Sequence, residues 1–148
     1  MVIEQTLKIK APIKKVWETM LDVSFLISCI PGIENLEVVD ENNYKAILKA
    51  RVSIMTAIFD TEIAIIDKQE PVYIKVAGEG KGRMGVGRVA FSQTVNLKSV
   101  STEDTDVTYK LDLNVIGRLA SLGGKAIAKK VTEVSEVFRD AFTAKCES

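Results

Sequence analysis

The sequence predicts an α+β fold in which a curved antiparallel sheet of about seven strands wraps around a long C-terminal helix. Two patterns lead to this prediction. Apolar and polar residues alternate through most of the region 33–116, and an apolar stripe at helical spacing follows Gly117. The 148 residues, 47% of them apolar, suit a single domain that spans residues 1–148.

One strand and two short helices are expected at the start of the chain. Residues 2–10 alternate with a period of two, which predicts a strand. Pro12 ends this strand and suits the first turn of a helix that runs to about Asp22. Ser24 is the expected cap of a second short helix, which must end before the Pro31-Gly32 pair.

Strands fill the middle of the chain almost completely. Their alternation is one-sided, which is typical of an antiparallel sheet with one face in water. Turn-forming residues separate the strands at Asn42-Asn43, Gln69–Pro71 and Glu103–Asp106. The alternating apolar positions run from Ala46 to Ile54, Phe59 to Ile65, Val72 to Val76, Val89 to Leu97 and Val107 to Val115.

The last element is a long amphipathic helix. Its apolar residues recur at steps of three to five between Leu119 and Phe142, and charged residues occupy the opposite side. A sheet with one apolar face and a helix with one apolar stripe bury these surfaces against each other. We therefore expect the sheet to curve around this helix.

The composition excludes several classes of function. The 20 basic and 20 acidic residues cancel, so we expect no nucleic-acid partner. The absence of histidine rules out His-based triads and His-containing zinc sites. Cys29 and Cys146 lack the spacing of a metal site and are expected to be reduced thiols. We expect no catalytic residue, no metal site and no cofactor.

The cellular location is also constrained by the sequence. Charges stand where a secretory signal would have its apolar stretch, which predicts a cytoplasmic protein. The longest uninterrupted apolar run is the four-residue segment Ile63–Ile66, whereas a membrane-spanning helix needs ~20 residues. Any contact with the inner face of a membrane is therefore expected to be transient and peripheral.

Two local patterns have more than one interpretation. Gly80, Gly82 and Gly85 form a G-x-G-x-x-G sequence, but it leads into a strand, so it predicts a bent hairpin rather than a dinucleotide site. Gln5 and Gln93 interrupt apolar strand faces, and a buried amide needs hydrogen-bond partners. These partners are either the polar head of a ligand or water and backbone groups.

Apolar residues also occupy predicted loop tips, where contact with water is unfavourable. One group precedes the Pro31-Gly32 turn, and the others belong to two hairpins. Such clusters mark the mouth of a pocket, a partner surface or a membrane contact, unless they pack on one another. The expected mouth residues on the hairpins are Ile54, Met55, Ile58, Met84 and Val86.

Four sequence motifs of this chain resemble those of a known family. They are Ala11-Pro12 with Val16-Trp17, the turn Cys29–Gly32, the glycine-rich hairpin, and the segment Gly117–Gly123 before the last helix. Over its whole length the chain resembles the G-subunit family of carbon monoxide dehydrogenase, within the START-like (SRPBCC) superfamily of helix-grip folds. The resemblance implies a deep apolar cavity between the sheet and the long helix. It also implies that this cavity binds a lipid or quinone in the service of a molybdenum-containing carbon monoxide dehydrogenase or a related hydroxylase.

The expected pocket residues face inward and lie near the mouth. They are Phe25, Leu26, Ile30, Pro31, Phe59, Phe91, Gln93, Leu113, Leu119, Leu122 and Ile127. Binding is favoured over catalysis because apolar walls are plentiful and catalytic groups are scarce. Two alternatives remain. One is a histidine-free cyclase or isomerase that uses Tyr109, Arg118 or an inward acid, and the other is an interaction module whose cavity is packed shut.

Overall fold

The computed structural model describes residues 1–148 and has the predicted architecture. Seven antiparallel strands form one sheet in the order β1-β7-β6-β5-β4-β3-β2. Two short helices follow the first strand, and a long helix ends the chain. The elements are β1 (Val2–Ile9), α1 (Ile13–Leu21), α2 (Val23–Ser28), β2 (Ile33–Asp40), β3 (Asn43–Val52), β4 (Met55–Gln69), β5 (Tyr73–Gly82), β6 (Arg88–Ser101), β7 (Asp104–Ile116) and α3 (Gly124–Glu147), with 3₁₀ helices at Arg83–Gly85 and Arg118–Leu122.

The sheet bends where its hydrogen-bond ladders change register. Irregularities interrupt the β2–β3, β4–β5 and β6–β7 ladders, for example between Ile65 and Asp67 of β4. Such bulges increase the local twist and bend the strand that carries them. Thr105 fixes the start of β7 to the end of β1, because its buried hydroxyl donates to the carbonyl of Ala11 at 2.8 Å. The curved sheet thereby has a concave face that α3 crosses.

Two helix boundaries differ from the sequence-based expectation. Asp22, not Ser24, caps α2, because its Oδ1 accepts a hydrogen bond from the backbone N–H of Phe25 at 3.3 Å. The long helix begins at Gly124 rather than directly after Gly117. Gly123 has a φ of +93°, a left-handed conformation that suits glycine, and it separates α3 from the preceding 3₁₀ helix.

The buried apolar residues form three clusters rather than the single core expected from the composition. The first contains Trp17 and Phe142, and the second contains Val23 and Ile63. The third cluster consists of Val52, Ala57, Phe59, Val86 and Leu119. Only two residues of α3, Phe142 and Cys146, are buried. The long helix therefore packs tightly near its C-terminal end, and its middle lies over open space. No helix is both long and apolar enough to cross a membrane.

Candidate ligand-binding cavity

A cavity of about 370 Å³ lies between the concave face of the sheet and α3. It is lined by 32 residues, of which 27 are hydrophobic, and it borders all three apolar clusters. Small-molecule sites usually measure ~300–1,000 Å³ and are mostly apolar. The size and the lining of this cavity are thus those of a site for one small hydrophobic molecule.

Strand and helix periodicity explain why the walls are apolar. Successive residues of a strand point to opposite faces, so the inward positions of β6 and β7 form two continuous rows. The roof is the stripe of α3 that includes Ile127, Val131, Val134 and Phe138, which recur every three or four residues. These four residues are only half-buried, because they face the cavity instead of packed side chains.

Most of the predicted pocket residues line this cavity. Nine of the eleven do so, and they come from α2 and the following turn, from three strands, from the 3₁₀ helix and from α3. They are Leu26, Ile30, Pro31, Phe59, Phe91, Gln93, Leu113, Leu119 and Ile127.

The two other predicted pocket residues lie outside the cavity. Phe25 packs beneath α3, with its ring 5.4 Å from the Nζ atom of Lys145. Leu122 packs against the third apolar cluster. The sequence-based prediction placed Leu122 on the same helical stripe as Ile127, and the break at Gly123 removes it from that stripe.

None of the five predicted mouth residues lines the cavity. Ile54 and Met84 lie at hairpin tips, where they are 87% and 97% exposed. Met55 is half-buried against the third cluster, and Val86 is buried within it. Ile58 alternates with buried neighbours on β4, so it lies on the convex face of the sheet. The placement of Ile58 and Val86 at an exposed mouth was therefore wrong.

Five lining residues are not hydrophobic: Pro31, Gln93, Lys130, Ser135 and Arg139. No carboxylate lines the cavity. An inward acid, one of the three groups named for the enzyme alternative, is thus missing from the lining, whereas Tyr109 is part of it. Arg118, another candidate for that alternative, is exposed and lies outside the lining.

Tyr109 adds a hydroxyl to the polar part of the lining. It lies opposite Gln5 in the β1–β7 ladder and donates a hydrogen bond to Gln5 Oε1 at 2.6 Å. Burial raises the pKa of Tyr109, while the positive charge of Arg139 acts in the opposite direction. Gln5 is exposed on the edge strand, where water is available to its amide, so it does not need the polar head of a ligand. Arg139 and Ser135 were not predicted, although their spacing of four residues places them on one side of a helix.

The comparison with protein families covers nearly the whole domain. The profile of the family described as the carbon monoxide dehydrogenase G subunit (CoxG) matches residues 6–145. This range includes all four motifs on which the resemblance was based. Among proteins with curated descriptions, none matches the sequence.

Solved structures share this fold over almost their full length. A conserved protein from Geobacillus kaustophilus is 25% identical, with a TM-score of 0.88 and coverage of 99% of this chain and 95% of its own. The Zhui aromatase/cyclase from Streptomyces sp. R1128 is 16% identical, with a TM-score of 0.70 and coverage of 99% and 93%. A START superfamily protein from Mycobacterium smegmatis is 13% identical, with a TM-score of 0.69 and coverage of 99% and 97%.

The two more distant structures show only that the fold is shared, because a shared fold does not determine function. They do establish that the curved sheet with its long helix is START-like. The family match rests on the sequence itself and extends from the first strand to the last turn of α3. The chain belongs to the CoxG family, that of the carbon monoxide dehydrogenase G subunit.

Proposed function

We propose that this protein binds one hydrophobic molecule, lipid-like or quinone-like, in the cavity beneath α3 and acts as an accessory factor without catalysis. Its partner in this proposal is a molybdenum-containing carbon monoxide dehydrogenase or a related hydroxylase, which it serves in assembly or by delivering a quinone. The observation that carries the binding proposal is the lining of the cavity, in which 27 of 32 residues are hydrophobic. The family description supports the choice of partner.

The half-buried apolar side chains of α3 that form the roof of the cavity give a physical reason to expect an apolar ligand. Val131, Val134 and Phe138 present apolar surface to the cavity and are only half-buried. Removal of apolar surface from water contributes ~25 cal/mol per Å². A ligand that covers this surface binds favourably and stabilises the folded state, because it has no comparable site on the unfolded chain.

The ionisable groups of the cavity favour binding over catalysis. They are Tyr109, Lys130 and Arg139. General acid–base catalysis works best with a group whose pKa lies near the working pH. Burial shifts the pKa of Tyr109 upward, away from neutrality, and its hydroxyl is already bonded to Gln5.

One end of the sheet has the properties of a membrane-contact surface, which a carrier of hydrophobic molecules requires. We call the segments 50–57, 81–88 and 116–125 the basic end. They contain no Asp or Glu. Ile54 and Met84 project from this end almost fully exposed. Its cations are Arg51, Lys81, Arg83, Arg88, Arg118 and Lys125.

The charges of the basic end are only partly neutralised by neighbouring strands. Arg83 forms a bidentate pair with Asp60, and Arg88 pairs with Glu79 at 3.0 Å. The other four cations form no ion pair.

In contrast, the turns at the opposite end of the sheet, residues 39–44, 66–73 and 98–106, carry seven carboxylates and two lysines. An anionic lipid surface attracts a basic patch by ~1 kcal/mol per Lys or Arg. We propose that the basic end touches the inner face of the membrane when the ligand is exchanged.

Titration with a decyl-substituted benzoquinone and a fluorescent fatty acid tests the binding proposal. We expect saturation at one molecule per chain for at least one of them, together with a rise in Tm. At a free ligand concentration of 100 times Kd, the expected stabilisation is ~2.7 kcal/mol. Absence of uptake by the folded protein would contradict the proposal and favour an interaction module.

A further inference from the structure

The cavity has a polar side and an apolar side, and this division indicates how a ligand is oriented. The residues of β3 and β4 that line the cavity are all apolar: Leu48, Ala50, Val52, Phe59 and Ile63. The polar residues contributed by the sheet, Gln93 and Tyr109, belong to β6 and β7. Because these strands lie on the other side of the sheet, the polar groups are concentrated along one wall.

Strand register brings Gln93 and Tyr109 together. Gln93 lies opposite Leu111 in the β6–β7 ladder, and Tyr109 is the next inward residue along β7. Diagonal neighbours on one face of a sheet are ~7–8 Å apart, within reach of long side chains. One small polar group in the cavity can therefore contact both of them.

Helix geometry adds Ser135 and Arg139 to the same wall. These residues are one turn apart on α3, and the charge of Arg139 acts on Tyr109. Lys130 is five residues before Ser135, which places it ~140° away around the helix. Lys130 therefore lines the cavity from the other edge of the α3 stripe. Only one of the two lining cations belongs to the polar wall.

Hydrogen-bond donors are in excess at this wall. The side chains of Gln93 and Ser135 form no hydrogen bond within the protein. The Arg139 guanidinium has five N–H donors, and its one ionic contact is Asp140 at 3.6 Å, a carboxylate that is itself 77% exposed. No lining carboxylate competes for these donors. These donors are half-buried, the Arg139 side chain being 36% exposed, and an oxygen acceptor on a ligand can pair with several of them at once.

From this arrangement we infer that the ligand is an amphiphile whose oxygen-bearing head group accepts hydrogen bonds from Arg139, Ser135 and Gln93, with its apolar part toward β3 and β4. Tyr109 borders this head group, and its own hydroxyl stays bonded to Gln5. The inference rests on the proposed function and adds the chemical class and the orientation of the ligand. A quinone carbonyl and a carboxylate both supply the required acceptor. The two sources differ in charge, which makes them separable by experiment.

The test compares three probes: a decyl-substituted benzoquinone, decanoate, and decylbenzene, which has no oxygen. Affinities are measured by displacement of a fluorescent fatty acid at constant pH. The wild-type protein is expected to bind at least one oxygen-bearing probe about tenfold or more tightly than decylbenzene, the effect of a hydrogen bond to a charged group. Preference for decanoate identifies an anionic head, and preference for the benzoquinone identifies a neutral acceptor.

Matched variants separate the head-group site from general binding. Arg139→Gln and Gln93→Met are expected to lower the affinity for the preferred oxygen-bearing probe and to leave decylbenzene unchanged. Lys129→Gln, at an exposed position of α3 outside the lining, is the control and should change neither affinity. Fluorescence of Trp17, the single tryptophan, checks that each variant is folded.

Two results overturn the inference in different ways. If the wild-type protein binds decylbenzene as tightly as both oxygen-bearing probes, or if Lys129→Gln has the same effect as Arg139→Gln, the head-group site is wrong and the binding cavity stands. If the folded wild-type protein binds none of the three probes and not the fluorescent fatty acid, the proposed function fails as well.

Discussion

Gly78 lies directly opposite Phe91 in the β5–β6 ladder, and a Cβ atom at position 78 would lie 2.5 Å from the Phe91 ring. The missing side chain makes room for the ring on the concave face, where Phe91 forms part of the cavity wall. Gly80 stands in a similar relation to Phe59, another lining residue. The glycine-rich hairpin therefore shapes the cavity, in addition to the bend predicted from the sequence.

Gly78→Ala is expected to destabilise the protein. The new methyl group would contact the Phe91 ring and, at 2.8 Å, the carbonyl oxygen of Glu62, which is backbone and cannot turn away. Overpacking of this kind costs ~1–3 kcal/mol, and each kcal/mol lowers Tm by ~2–4 °C in a chain of this size. Thermal unfolding followed by circular dichroism measures the change.

Gly124→Ala is the matched control for this substitution. Nothing lies within 4 Å of a Cβ built at Gly124, and its φ is not positive. Because alanine is the better helix former, we expect an unchanged or slightly higher Tm. Equal melting temperatures for Gly78→Ala and the wild type would show that the close approach to Phe91 is not a constraint.

Val134→Trp is expected to block the cavity without unfolding the protein. Val134 belongs to the roof, and the empty space below it can accept a larger side chain. Uptake of a fluorescent fatty acid should fall about tenfold or more, because the indole occupies ligand volume. Val137→Trp is the control, since Val137 is 50% exposed and does not line the cavity. Equal loss of uptake in both variants would place the site elsewhere.

The two cysteines are expected to differ in reactivity. Cys146 is buried, and burial raises the pKa of its thiol, so a smaller fraction is thiolate at any given pH. The thiolate is the reactive form. Cys29 is only half-buried at the end of α2. With a chromogenic disulfide reagent at pH 8, Cys29 should react first and Cys146 only when α3 detaches.

The variant Cys29→Ser isolates the second thiol. It should show no rapid reaction under native conditions and one full equivalent in denaturant. Rapid labelling of Cys29→Ser in the folded state would mean that α3 opens readily near Phe142 and Cys146, contrary to the tight packing of that end.

Binding of the basic end to membranes is tested with sedimentation of vesicles. The double substitution Ile54→Ser and Met84→Ser is expected to reduce binding to vesicles of anionic phosphatidylglycerol, because both apolar side chains are exposed at the hairpin tips. Higher salt should weaken binding by the wild type, since the attraction to Arg and Lys is screened. Val100→Ser is the control, because Val100 is 59% exposed at the end of the sheet opposite the basic end. Stronger binding of the wild-type protein to vesicles of neutral phosphatidylcholine than to vesicles of phosphatidylglycerol would contradict this orientation.

Alternation and helical spacing were sufficient to predict the sheet and the three helices, and they identified nine of the 32 residues that line the cavity. These signals are local, and each inward position of a strand follows from its neighbours. The number of strands and their antiparallel pairing were confirmed. Phe59, Phe91 and Leu113 all line the cavity for this reason.

The errors concern features that depend on backbone direction or on distant contacts. Gly123 was assigned to a continuous helix, and its positive φ redirects the chain so that Leu122 leaves the apolar stripe. Val86 was taken as exposed, although its carbonyl accepts a hydrogen bond from the N–H of Leu119, which ties it into the third cluster. Arg139 was placed with the charged residues on the opposite side of the helix, but it lines the cavity, and its charge acts on Tyr109, 30 positions earlier in the sequence. No local pattern joins these two residues.

Native mass spectrometry of freshly purified protein, followed by solvent extraction of what is released, is the decisive test of ligand binding in the cavity. We expect one lipid-like or quinone-like molecule per chain, with at least one oxygen in its head group, and none on Val134→Trp. A folded wild-type protein that carries no such molecule, and that takes up neither a quinone nor a fatty acid when these are supplied, would contradict the proposed function.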